Sequence, residues 1–456
     1  MPGKTNPIII IGGNDAGLAA AGRIRRLAPA LDVTVIERGA HLAYASCALP
    51  YFLSGQIPAS AVQGLNAEQM LKKRSLHALT SHTVVEIRVK EKTILVHDTS
   101  SASDKVLPFH KLVLATGARA IMPDELVKAA NAFTLRSFAD ALRLRGYIES
   151  DRPRNALVVG GGLIGLEVVE ALQQAGLNTT LIETSPVLAG LPQALAAPLS
   201  DHIRSAGVQF HLNTTVGRWQ KQGDRITGFQ RNDEQELQSV DLVFIATGIQ
   251  PETELAVKAG VRLGAANAIQ VNAYQQTNKA DIYAVGDCCE TLHLVSERKS
   301  WLPFAGVAAR QGRVVGSNLA GHSARFPGAL GTRLVRCFGM ELGRTGLNLA
   351  EAAANGFTPT ETVIHQADKP EYMADHQVIS LSVIWDKHSK QLLGGAVLGG
   401  PGAGIRLNLL AIALQAKMTI KDLPNLDLGY TPAINHMMDP LHIAGGVALK
   451  SNREKR

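Results

Sequence analysis

The run Ile8-Ile9-Ile10-Ile11-Gly12-Gly13-Asn14-Asp15-Ala16-Gly17 decides how this chain folds. Four β-branched residues make a strand, and the glycines that follow break it before an alanine-rich segment that runs as a helix through Arg26. Strand, glycine turn and helix form the phosphate-binding half of a βαβ unit. Gly12 and Gly13 make the turn, and Gly17 lets the helix approach the strand closely. A diphosphate would sit on the helix N-terminus, where backbone N–H groups are free. The middle glycine of the usual pattern is Asn14 here, so the context has to supply the rest. It does so in Val33-Thr34-Val35-Ile36, a second strand that ends at Glu37, twenty positions past Gly17. A carboxylate there accepts both ribose hydroxyls, with Arg38 beside it as a further nucleotide contact.

Working outward, the pattern recurs in complete form. Ala156-Leu157-Val158-Val159 leads into Gly160-Gly161-Gly162-Leu163-Ile164-Gly165, then an apolar helix through Ala175, then Thr180-Leu181-Ile182 ending at Glu183. Gly160, Gly162 and Gly165 stand at the three glycine positions, so two dinucleotides are expected. Glu183 suits the free 2′-hydroxyl of NADH and repels the 2′-phosphate of NADPH, which makes NADPH the less favoured nucleotide. Two near-copies, Leu112 to Gly117 and Leu242 to Gly248, are buried strands ending in Ala115-Thr116-Gly117 and Ala246-Thr247-Gly248. Such strands are expected where the chain crosses between domains beside a cofactor. In Asp281-Ile282-Tyr283-Ala284-Val285-Gly286-Asp287, the glycine admits the chain of a flavin cofactor and Asp287 can bond its ribityl hydroxyls.

Composition bounds the rest. A chain of 456 residues suits about three units of 100–200 residues. Its 46% hydrophobic and 5% aromatic content reads as an ordinary α/β protein. No apolar run approaches the roughly 20 residues of a membrane helix. No basic leader with a long apolar stretch is expected to be cleaved. The four cysteines, Cys47, Cys288, Cys289 and Cys337, lack zinc-type spacing, so neither a metal site nor a disulfide scaffold is expected, and a reducing, cytoplasmic setting is. The net charge of +7 favours anionic partners, but the basic residues are dispersed, so a small anionic molecule is expected rather than nucleic acid.

The order of these segments resembles the two-dinucleotide-domain flavoproteins related to glutathione reductase, over essentially the whole chain. The resemblance implies an α/β fold with two Rossmann-like domains, one for FAD and one for NAD(P)H, and an α+β C-terminal dimerisation domain. The FAD domain would comprise residues 1–118 and 252–325, the nucleotide domain 119–251, and the interface domain 330–456, giving a homodimer. Within that group, Ser46-Cys47-Ala48-Leu49-Pro50-Tyr51 resembles the active-site segment of coenzyme A disulfide reductases, which use one cysteine where their relatives use two. A lone thiol beside a flavin stores electrons as a mixed disulfide, persulfide or sulfenic acid. A free cysteine is otherwise a small buried hydrophobe. The single-cysteine group also includes NADH oxidases and peroxidases, which carry a histidine where this chain has Asp15. A carboxylate cannot supply that cationic donor, which disfavours peroxide chemistry, and it would raise the pKa of a nearby thiol. Asp15 is equally a cap for the helix that follows.

The same resemblance assigns Tyr430, in Gly429-Tyr430-Thr431-Pro432, and Tyr372 as tyrosines lent to the partner's active site. It also places Ser46, Arg23 and Arg26 against a coenzyme A ligand, with Lys73 in a second basic cluster, Lys72-Lys73-Arg74. Solvated helix faces explain both clusters equally well. Cys288 and Cys289 read as packing near the flavin. The chain stops at Arg456, so a rhodanese-like extension is not expected. The expected activity is an FAD-dependent NAD(P)H oxidoreductase acting on a small-thiol disulfide, coenzyme A disulfide, persulfide or polysulfide. A reductase of a ferredoxin-type carrier is the rival of another class, since it would need no cysteine at position 47.

Overall fold

The structure, a computed structural model, describes residues 7–64 and 67–451, without the side chains at 67, 73, 74 and 451. Ile8–Ile11 lies at the centre of a parallel sheet of five strands. Val33–Ile36 and Lys111–Leu114 flank it, and His77–Leu79 and Ile282–Ala284 close the edges. All four isoleucines are buried, because the sheet is covered on both faces. Ile8 and Ile10 pack with Ala20, Ile24 and Val315 of the helices Asp15–Leu27 and Ala305–Leu319. Ile9 and Ile11 pack with Val84, Ile94 and Val96 of an antiparallel meander, His82–Arg88, Thr93–Asp98 and Ser103–Pro108. The period of two along a strand thus assigns alternate isoleucines to helix and meander.

A second five-stranded parallel sheet repeats the plan around Asn155–Val159, with the order Gln209–His211, Asn178–Ile182, Asn155–Val159, Leu242–Ile245, Ala132–Phe133. Ala156 and Val158 share a core with Leu166 and Val169 of the helix Leu163–Gln174. Leu157 instead meets Ile226, Phe229 and Val240, from or beside the meander Val216–Gln222, Arg225–Arg231 and Leu237–Ser239. The near-copy strands lead into a crossing. Ala118–Ala120 pairs antiparallel with Ile249–Pro251, and Glu252 N–H donates to Gly117 O at 2.9 Å, so the chain leaves and returns side by side.

The remaining residues build a five-stranded antiparallel sheet in the order Arg333–Cys337, Met340–Gly346, Leu392–Gly399, Val378–Asp386, Pro359–Ala367. In Val378-Ile379-Ser380-Leu381-Ser382-Val383-Ile384 the serines alternate with apolar residues, a pattern that suits a half-solvated strand, yet every position of the strand after Val378 is buried. The cause is a double cover. Leu381 and Val383 pack under the helices Ala403–Gln415 and Pro440–Ser451, while Ala396 and Leu398 of the neighbouring strand join Leu195 and Leu199 of the helix Gln193–Ser205. Among the described residues, no helix is long and apolar enough to cross a membrane.

Candidate active site

Each parallel unit ends its central strand in the same device. Gly12 and Gly160 have φ of +115° and +110°, in the left-handed region. A Cβ there would lie 2.1 Å from Ala115 O and 2.4 Å from Ala246 O, so both positions require glycine. Glu37 accepts from Gly13 N–H and Gly39 N–H, each at 2.8 Å. Glu183 does the same with Gly161 N–H at 2.6 Å and Ser185 N–H at 2.7 Å. Each strand-end carboxylate therefore shapes the glycine loop next to it. The helices that follow start after Asn14 and Gly162, and neither receives a side-chain cap. Asp15 sits at the first helical position and is not the cap; Asn14 occupies that place. First-turn N–H groups left without a cap, beside a carboxylate, fit a diphosphate and its ribose. Arg38 is exposed next to Glu37.

Around the first device the chain gathers further groups. Ser46–Ala48 is one turn of 3₁₀ helix that carries Cys47, and Leu49–Leu53 continues it with a proline in its first turn. Leu49, Pro50, Phe52 and Leu53 are buried, which anchors the turn and leaves Cys47 exposed. Cys288, Cys289 and Cys337 are buried. The packed residues around Cys47 desolvate its thiolate, and the charge of Asp15 adds to this, so the thiol is pushed above its usual pKa. The Ser46 hydroxyl, hydrogen-bonded to it, works the other way. Burial raises Asp15 as well, and the charge of Asp287 adds to the effect against the pull of Arg136.

Arg136 and Trp301 are residues that sequence reasoning missed. The Arg136 guanidinium donates to the Asp287 carboxylate and, through Nε, to Ala118 O at 3.1 Å. Trp301 Nε1–H donates to Asp287 O at 2.7 Å, and Gly286 N–H donates to Gln311 Oε1 at 2.8 Å. No spacing announces Arg136, whose partner lies 151 positions away. Glu167 was missed too. Burial, and secondarily the charge of Glu170, raises it to about 7 on the helix facing Tyr51. Its cue was available, since it follows the second glycine motif by two residues.

The other expected residues are spread over several elements. Thr116 Oγ1–H donates to Glu252 O at 2.6 Å within the crossing, and Gly117 and Gly248 turn there with φ of +75° and +126°. Arg23 Nε–H donates to Ser317 Oγ at 2.9 Å, tying its helix to Ala305–Leu319, while Arg26 is exposed. The Lys73 side chain lies outside the described residues, and Lys72 is exposed. Tyr372 and Tyr430 are both exposed on the antiparallel unit, and their hydroxyls hydrogen-bond to each other, which raises Tyr430 above the usual phenol value. Cys288 Sγ–H faces Val285 O at 3.2 Å and Leu114 O at 3.4 Å, and Cys289 Sγ–H faces Gly286 O at 3.4 Å; both pack beneath the Asp287 turn.

Comparison with known proteins agrees with this geometry. The pyridine nucleotide-disulphide oxidoreductase model matches residues 6–312, and the dimerisation domain of the same group matches residues 334–441. The NAD(P)H sulfur oxidoreductase (CoA-dependent) of Pyrococcus abyssi is 34% identical over 451 residues, covering 96% of this chain and 97% of its own length. A NAD-dependent persulfide reductase from A. fulgidus superposes with a TM-score of 0.94 at 33% identity, covering 98% of this chain and 84% of that one. Reduced Bacillus anthracis CoADR-RHD gives the same TM-score of 0.94 at 30% identity, covering 98% and 81%. A NADH oxidase of Methanocaldococcus jannaschii is also similar, at 30% identity over 98% of this chain and 99% of its own. With two glycine loops, two carboxylates and a third, antiparallel unit, the chain belongs to the FAD-dependent pyridine nucleotide-disulphide oxidoreductase family.

Proposed function

We propose that this enzyme uses NADH to reduce a disulfide, persulfide or polysulfide of a small thiol, coenzyme A among them, with Cys47 as the redox centre. The observation that carries this reading is the contrast among the thiols. Cys47 is exposed on an anchored turn, within the electrostatic reach of Asp15, while the other three are buried. Bound FAD would supply two-electron transfer from the nicotinamide to the sulfur. The chain's own residues would hold it: the first-turn N–H groups after Asn14 for the diphosphate, Glu37 for the ribose and Asp287 for the ribityl hydroxyls.

The thiol chemistry balances on Cys47 alone. Its thiolate attacks one sulfur of a disulfide RSSR, the S–S bond breaks, and RS⁻ leaves and takes up a proton. Cys47 is then half of a mixed disulfide. Two electrons and one proton cleave it, releasing RSH and restoring the thiolate. With a persulfide RSSH, the same attack gives the same mixed disulfide and releases sulfide. Asp15 argues against peroxide reduction, because a carboxylate near the sulfur supplies no cationic donor and disfavours the sulfenate. Arg23 and Arg26 would meet the anionic end of coenzyme A.

Assembly follows from the antiparallel unit. Its surface shows Ile405, Ile412, Ile434 and Met437, each more than half exposed. A homodimer of twice 48.5 kDa would cover them and bring Tyr430, with Tyr372 beside it, to the partner's Cys47. Free thiols of this kind need a reducing compartment, which suits the cytoplasm. Cys47→Ser tests the reading: FAD stays bound, while disulfide reduction falls to background and the long-wavelength thiolate-to-flavin charge-transfer band disappears. Disulfide turnover retained in that variant would overturn it.

A further inference from the structure

Tyr430 sits on a surface strap that runs from Leu426 to Asp439 without regular structure and exposes Ile434 and Met437, at 67% and 66%. From outside the strap, Tyr372 hydrogen-bonds to the Tyr430 hydroxyl, and Gln366 Nε2–H donates to Met438 O at 3.1 Å. Asn435 bonds the strap to itself, donating to Gly429 O at 2.6 Å and accepting from Thr431 N–H at 3.0 Å. Both ends of the strap are clamped as well. His442 Nδ1 accepts from Asp439 N–H at 3.0 Å, which leaves Nε2 to donate to Leu426 O at 2.8 Å, so one imidazole clamps both ends of the strap. Asp439 then uses both carboxylate oxygens. Oδ1 accepts from Leu441 N–H at 3.1 Å, and Oδ2 accepts from Arg406 Nε–H at 2.9 Å. Arg406 also donates to Gly402 O at 3.1 Å.

The Arg406–Asp439 pair is out of place on energetic grounds. Its side chains are 5% and 4% exposed, and Leu407, Leu410 and Leu441 near it are fully buried apolar groups. A buried ion pair is rarely more stable than apolar residues of the same volume, but it is directional in a way that apolar packing is not. Arg406 belongs to the helix Ala403–Gln415, whose outer side shows Ile405 and Ile412 at 60% and 63%. One buried pair therefore joins the strap to a helix with an exposed apolar face.

We propose that Arg406 and Asp439 are positioning residues for Tyr430, holding the strap in register with the helix beside it so that the phenol reaches the thiol site of the partner copy. The proposal rests on the reading above in which Tyr430 serves that site. Neither residue is among those that would hold substrate or cofactor, so the pair acts on the thiol half-reaction and leaves hydride delivery from NADH alone.

The test uses the FAD-loaded dimer with Arg406→Met and Asp439→Asn, each also combined with Tyr430→Phe. Three readouts are taken: flavin reduction by NADH in a stopped-flow instrument, turnover with coenzyme A disulfide, and amide hydrogen exchange of residues 427–438. In the single variants, kcat with disulfide falls about tenfold while flavin reduction stays within about twofold. Strap exchange accelerates, and neither change lowers turnover further once Tyr430 is already Phe, because effects acting through one group do not add. Should Arg406→Met fail to fold, the isosteric Asp439→Asn carries the same test. Parental turnover in the pair variants alongside slow Tyr430→Phe overturns the positioning role alone. Additive losses, or equal losses in both half-reactions, overturn it too. Parental turnover in Tyr430→Phe itself overturns the reading of Tyr430, and the positioning role with it.

Discussion

The two parallel units make the same loop by the same means, and only one of them gathers reactive groups. Gly12 and Gly160 occupy the same backbone region, and Glu37 and Glu183 clamp their loops at nearly the same distances. Around Glu183 the remaining partners are Ser185 N–H and the Thr184 hydroxyl, both within two residues. The first unit differs: Cys47, Arg136 and Asp287 converge there from three separate segments. Binding a dinucleotide is thus a local property of a strand, a turn and a helix. Chemistry on the bound molecule is assembled from a distance.

The largest expected effect breaks the two units apart. Gly12→Ala forces a side chain onto Ala115 O in a disfavoured backbone region and should yield protein without visible flavin absorbance. Gly160→Ala should keep its flavin and lose its reduction by NADH. Loss of flavin from both variants would mean that the units do not act separately. Next comes nucleotide choice. The carboxylate of Glu183 facing a 2′-phosphate disfavours NADPH by about 1–3 kcal/mol, roughly 10- to 100-fold in kcat/KM. Glu183→Gln should narrow that gap, and equal use of NADPH by the parent enzyme would show that another residue neutralises the phosphate. The smallest effect separates Cys47 from its neighbours. Its raised thiol forms thiolate only as pH climbs through the raised value, so alkylation accelerates on the alkaline side of an ordinary cysteine. Asp15→Asn removes the second cause of that rise. The alkylation midpoint then moves down in pH, and the rate at neutral pH increases about two- to fivefold. An unchanged midpoint would remove Asp15 from the electrostatics of the thiol.

Fold and site were legible in the sequence to different depths, for the same physical reason. The glycine loops, Glu37 and Glu183 could be read because their requirements are local: one positive φ, one close approach, one carboxylate at the end of the next strand. The double cover of Val378–Asp386 could not, because alternation along a strand is silent about what packs on its second face. Arg136 was unreadable for a related reason: nothing near it in sequence is unusual, and its meaning arises only where it meets Asp287. Arg406 reads as one more helix cation until its partner across 33 positions is seen to be buried with it. The charge of Asp15 is the second cause, after burial, of the raised Cys47 thiol, in the direction its sequence position suggests, while the reading of Asp15 as the helix cap fails by one residue, since Asn14 takes that place.

The claim on which the account turns is that electrons reach the substrate through one sulfur. Enzyme turning over with a small-thiol disulfide, quenched in acid, denatured and digested, should show the mass of one thiol joined to the peptide containing Cys47, and prior reduction with excess NADH should remove it. A Cys47 peptide of unmodified mass under full disulfide turnover, or the adduct on Cys288, Cys289 or Cys337 instead, would contradict the account.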